Sequence, residues 1–110
     1  MEINVKSIGQ VTVVEIAGDI DSNTAPQAQE RVLPLVQPGS KILLDMSGVE
    51  YMSSAGLRIL LSMYRQISRG DGGIVLVGLG EEIKDTMSVT GFLNFFRTCD
   101  TVDEGLQALA

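Results

Sequence analysis

The sequence predicts an α/β fold: a single domain over residues 1–110, with a mixed sheet of four to five strands and about four helices packed against it. Three observations predict it. Two short apolar runs, Ile42-Leu43-Leu44 and Ile74-Val75-Leu76-Val77, read as central strands covered on both faces. A period-two pattern near the start reads as a hairpin. Segments with helical spacing and capping signals separate the strands, as the crossovers of a parallel sheet require.

Each element follows in order. Ile3 and Val5 alternate with Glu2, Asn4 and Lys6, as in a half-buried strand. Gly9-Gln10 then precedes Val11-Thr12-Val13-Val14-Glu15-Ile16, and a two-residue turn with glycine first suits a type II′ hairpin. Thr24-Ala25-Pro26-Gln27 resembles a capping box that opens a helix from about Ala25 to Leu33, where Pro34 ends or kinks it. Lys41 to Met46 is the next strand. A second helix is expected from near Ser54 to Gly70, with Arg58, Ser62, Arg65, Gln66 and Arg69 on one face. Leu57, Leu60, Leu61, Tyr64 and Ile67 form its apolar stripe, widened by Ile59 and Met63. Gly73 to Gly78 is a buried strand. Glu81 to Val89 is a short helix with acids in its first turn and Gly91 as its stop. Phe95-Phe96 starts a short last strand. Thr101-Val102-Asp103-Glu104 caps a final helix to about Leu109.

Bulk properties restrict the function. A net charge of −6 argues against direct binding to nucleic acid or an anionic membrane surface, since both need a basic patch. One cysteine, Cys99, forms no internal disulfide and suits a cytoplasmic protein. The N-terminus lacks a signal-peptide layout, and no apolar run approaches a membrane span. Without histidine, a Ser-His-acid triad is impossible and a zinc site is effectively excluded. The chain therefore reads as no enzyme, with no metal and no cofactor. Asp19, Asp21 and Asp45 read as acceptors for loop amides. Gly78-Leu79-Gly80 lacks the third glycine of a dinucleotide loop, and no P-loop occurs.

One stretch stands out: Leu43-Leu44-Asp45-Met46-Ser47-Gly48-Val49-Glu50-Tyr51-Met52-Ser53-Ser54-Ala55-Gly56-Leu57. A strand passes through a polar turn, two serines and a glycine into a helix. Right-handed crossovers place Asp45, Ser53, Ser54, Asp19 and Asp21 along one sheet edge. A phosphate on Ser54 would meet the free N–H groups and positive dipole end of the helix. The residues leave two roles open, a helix cap and a phosphate acceptor.

Gly18-Asp19-Ile20-Asp21, the stretch Leu44–Leu57, and Gly91-Phe92-Leu93 with Val102-Asp103-Glu104-Gly105-Leu106 resemble the motifs of the STAS domain family. The form is that of its free-standing bacterial anti-sigma factor antagonists. The resemblance implies a STAS fold and a partner-switching role. In that role the unphosphorylated protein binds an anti-sigma factor serine kinase, which releases the sigma factor. Phosphorylation ends binding, and a metal-dependent serine phosphatase restores it. The resemblance makes Ser54 the acceptor, with Ser53 the alternative. It assigns Asp19, Asp21, Ser22, Ser53, Ala55, Gly56, Leu57 and Arg58 to the contact surface. The family usually has aspartate just before the phosphorylated serine, where this chain has Ser53. That departure keeps a second reading open, a STAS interaction or scaffold subunit of a stress-sensing or lipid-transport assembly without a phosphoswitch. Asp21 is expected to serve binding, not folding. A monomer or weak dimer is expected, because apolar strand edges need cover.

Overall fold

The computed structural model describes every residue from Met1 to Ala110. Strands β1 (Glu2–Ile8) and β2 (Val11–Ala17) pair antiparallel, with Ile8 opposite Val11. Gly9 sits at φ +60°, the conformation that the first turn position of a type II′ hairpin demands.

From β2 onward the chain advances one strand at a time. β3 (Lys41–Gly48), β4 (Gly73–Val77) and β5 (Arg97–Cys99) join in parallel, giving the order β1-β2-β3-β4-β5. Helices α1 (Ala25–Val32), α2 (Ser54–Ile67) and α3 (Glu81–Val89) make the crossovers, and α4 (Val102–Leu109) follows β5. Crossovers of one hand that always step in one direction lay their helices on one face. The core shows this. One cluster of 21 buried residues joins Ile42, Leu44, Met46 and Leu76 to Ala28, Leu60, Met63 and Met87 of α1–α3. A second cluster of 6 joins Val13, Leu43, Val75 and Val77 to Leu109 of α4. The two-residue alternation of β3 and β4 divides each apolar run between the faces.

Several expectations need correction. β3 runs on to Gly48, so Asp45 lies inside the strand, beside Glu15 and Val77. It shares the α4 side with Leu43, and its carboxylate accepts from the Ser47 amide (3.1 Å) and hydroxyl (2.7 Å). Asp45 is therefore not part of the serine edge. α2 stops at Ile67, and Met63 is a fully buried core residue while Leu61 is only half-buried. Thr24 makes no cap hydrogen bond to α1. A 3₁₀ turn over Leu33–Leu35 accommodates Pro34. Another, Phe92–Phe95, delays the last strand to Arg97. α3 spans the predicted residues, with Gly91 at φ +82° just beyond it. Thr101 caps α4 by accepting from the Glu104 amide at 3.2 Å.

Candidate functional site

The loop after β2 and the loop after β3 are joined by a single parallel bridge between Ile20 and Met52. Ile20 donates its amide to the Tyr51 carbonyl (2.9 Å), and Ser53 donates to the Ile20 carbonyl (2.8 Å). Gly18 adds a third link to the Gly48 carbonyl at 2.9 Å. The Ile20 and Met52 side chains turn inward and are buried. The polar residues on either side, Asp19, Asp21 and Ser22 in one loop and Ser53 and Ser54 in the other, are thereby held on neighbouring segments.

The two serines differ in their bonding. Ser53 is the N-cap of α2, with extended backbone (φ −82°, ψ 178°), and its hydroxyl accepts from the Ala55 amide at 3.2 Å. Ser54 is the first helical residue, is exposed, and its hydroxyl has no protein partner. An N-cap serine replaced by alanine costs about 1 kcal/mol. Ser53→Ala should therefore lower thermal stability measurably, whereas Ser54→Ala should not. A calorimetric comparison of the two checks this.

Asp21 builds its own loop. Its carboxylate accepts from the amides of Asn23 (2.9 Å) and Thr24 (3.0 Å), while the Thr24 hydroxyl donates to the Asp19 carbonyl at 2.8 Å. The Asp21 carbonyl receives the Ala25 amide, so the turn over 22–24 leads straight into α1. Thr24 fails as a cap because its hydroxyl serves this turn. The Thr24 amide bond, followed by that of Asn23, holds the Asp21 carboxyl below the ordinary aspartate pKa. A depressed folded pKa contributes stability above the unfolded value of about 4, and that contribution disappears as pH falls below it. Replacing Asp21 with asparagine should cost stability at neutral pH, and the difference in Tm from the parent should shrink as pH drops below about 4. Asp21 is thus a structural residue of the loop as well as a candidate contact.

The first turn of α2 divides into buried and exposed residues. Gly56 and Leu57 are buried, so the expectation that both lie on a contact surface is corrected. A Cβ on Gly56 would overlap the Met52 side chain and lie 2.9 Å from Ile20 Cγ2. Glycine is needed for that close approach. Ala55 and Arg58 do face outward, onto a groove of about 370 Å³ between α1 and α2. Ser22, Pro26, Gln29, Leu33 and Ile59 complete most of its lining. The α1 residues of this groove were not found from the sequence, because no local signal reports how two crossover helices lie side by side. Arg58 enters no ion pair, the one in the structure being the exposed contact of Lys6 with Glu15 at 3.7 Å. No three acidic or cysteine side chains form a group able to hold a metal ion.

Comparison with known proteins fits this geometry. The family model described as STAS domain matches residues 2–105. The chain is similar to the anti-sigma-B factor antagonist of Bacillus subtilis, 26% identical over 107 residues that cover 97% of this chain and 98% of the relative. It superposes on the crystal structure of an anti-sigma factor antagonist from Mycobacterium paratuberculosis with a TM-score of 0.88 and 28% identity, covering 98% and 92% of the two chains. The phosphorylated form of the Bacillus cell fate determinant SpoIIAA shares the fold at 14% identity and a TM-score of 0.73, over 97% and 98% of the chains. No helix is long and apolar enough to cross a membrane. With nearly its whole length matched, this chain belongs to the STAS domain family.

Proposed function

We propose that this chain is an anti-sigma factor antagonist of a partner-switching pathway, cytoplasmic and without catalytic activity, with Ser54 as its phosphate acceptor. The unphosphorylated form binds an anti-sigma factor serine kinase over the edge made by Asp19, Asp21, Ser22, Ser53, Ser54, Ala55 and Arg58, and so frees the sigma factor. The observation that carries this reading is the unequal bonding of the two serines. Ser53 is occupied as the cap of α2, whereas Ser54 presents an unbonded, exposed hydroxyl. A kinase can reach Ser54 without dismantling the helix start.

Phosphorylation adds about −1.5 to −2 charges at pH 7. On the first residue of α2 they fall at the positive end of the helix dipole, which tolerates them. The fold persists, and that SpoIIAA in its phosphorylated form has the same fold accords with this. The new charge lies on the segment next to the Asp21 loop, so the edge becomes more negative and a docked partner loses complementarity. A metal-dependent serine phosphatase reverses the step. The test is binding by calorimetry to the kinase-type anti-sigma factor before and after phosphorylation. Tight binding before and weak binding after supports the switch.

The second reading, a scaffold subunit without a phosphoswitch, is favoured by Ser53 standing where an aspartate is usual. Ser53→Asp separates the two. Aspartate is as good an N-cap as serine, so the variant stays folded. Under the switch reading it changes the rate of phosphate transfer to Ser54. Under the scaffold reading neither form takes up phosphate.

A further inference from the structure

The long outer edge of β1 carries a self-complementary pattern, and we infer that two copies of this chain pair antiparallel along it about a two-fold axis through Asn4. This rests on observations separate from the serine site. β1 has seven residues and pairs only with β2, so its other side is a free sheet edge. In a two-residue hairpin the closing pair, here Ile8 and Val11, exchanges both backbone hydrogen bonds. Alternation then turns the backbone groups of Lys6, Asn4 and Glu2 toward β2, and those of Ser7, Val5 and Ile3 outward. The Ile3 carbonyl confirms this direction, since it accepts from Arg31 Nη2 at 3.1 Å. A carbonyl has a second lone pair, so that contact leaves room for another donor.

An antiparallel partner must match outward residues to outward residues. With the axis at Asn4, Ile3 of one copy exchanges backbone bonds with Val5 of the other. Glu2 then stands directly opposite Lys6 of the second copy, and Lys6 opposite the second Glu2. Opposite charges directly across a strand pair are favourable, and like charges are unfavourable. Sliding the axis to Val5 pairs Lys6 with Asn4, and sliding it to Lys6 sets the two lysines face to face. Charge therefore selects one register. Val5, 41% exposed although it sits opposite the fully buried Val14, gains the cover it lacks in the single copy. Lysine on an edge strand ordinarily repels pairing. Here Lys6 is already held by Glu15 of its own copy at 3.7 Å, and the Glu2 of the second copy sets a further carboxylate beside it. The contact is small, so the dimer is weak, with a Kd of about 10–100 µM.

Sedimentation equilibrium across that concentration range tests the pairing. The parent chain should dimerise reversibly. Glu2→Lys alone sets lysine against lysine twice, and Lys6→Glu alone sets glutamate against glutamate twice, so each should weaken the dimer at least about tenfold. An equimolar mixture of these two variants restores both opposite-charge pairs, and should dimerise where neither does alone. Val5→Pro removes an outward N–H without touching the β1–β2 ladder, and should abolish the dimer while the circular dichroism spectrum is kept. A parent chain that stays monomeric through the range overturns the inference. So does a dimer that survives Val5→Pro in folded protein, or a mixture no more dimeric than its components. If Val5→Pro does not fold, the mixture decides.

Discussion

Ser54→Asp should bind the kinase-type anti-sigma factor at least about tenfold more weakly than the parent chain, a loss of ~1.4 kcal/mol. The added carboxylate sits on the exposed first residue of α2, beside the acidic loop of Asp19 and Asp21. It approximates part of the phosphate's charge, so its effect should be smaller than that of phosphorylation. Ser54→Ala should bind about as well as the parent and accept no phosphate, because the hydroxyl has no structural bond to lose. Both variants should melt within about 1 kcal/mol of the parent, since aspartate is favourable in the first turn of a helix. Calorimetric titration with the kinase-type factor measures the affinities, and thermal unfolding checks the fold. Unchanged affinity for Ser54→Asp would remove electrostatic repulsion as the basis of the switch.

Gly56→Val should be the most damaging single change near the site. Even one added carbon overlaps Met52 and crowds Ile20, and these two residues form the bridge that holds both loops. Overpacking of this kind costs about 1–3 kcal/mol. Valine adds branched atoms where none fit, so the upper end of that range is expected. Alanine at the same position regains up to ~1 kcal/mol of helix propensity and should be milder. Chemical denaturation gives the magnitude. Partner binding should fall with stability, because Ser22 and Asp21 no longer sit beside α2.

Features with a local signature were legible in the sequence. The β1–β2 hairpin follows from alternation and a glycine turn, and α3 from two acids and a terminal glycine. The apolar runs of β3 and β4 declared strands covered twice over. Features set by contacts between distant segments were not legible. The Ile20–Met52 bridge is an isolated pair outside any strand, with no periodicity to announce it. Asp45 lies on the α4 side because alternation along β3 sets it with Leu43, and which face of a strand meets which helix has no local signal. Thr24 has the spacing of a capping box, but its hydroxyl is engaged by the Asp21 amide and the Asp19 carbonyl in the turn before the helix. Met63 and Leu61 exchanged roles because a helix with apolar residues on three sides does not declare which side meets the sheet. The family resemblance favours Ser54 over Ser53 by position, and the physical difference between them, a capping hydroxyl against an unbonded one, is visible only in the hydrogen bonds.

The central claim is that Ser54, and not its capping neighbour, carries the regulatory phosphate. The most direct measurement incubates the parent chain with ATP and the serine kinases of its source cell, then maps phosphate by intact mass and peptide sequencing. One phosphate per chain, located on Ser54, is the predicted result. Phosphate on Ser53, or none with any kinase while the chain still binds a stable assembly, would contradict the claim.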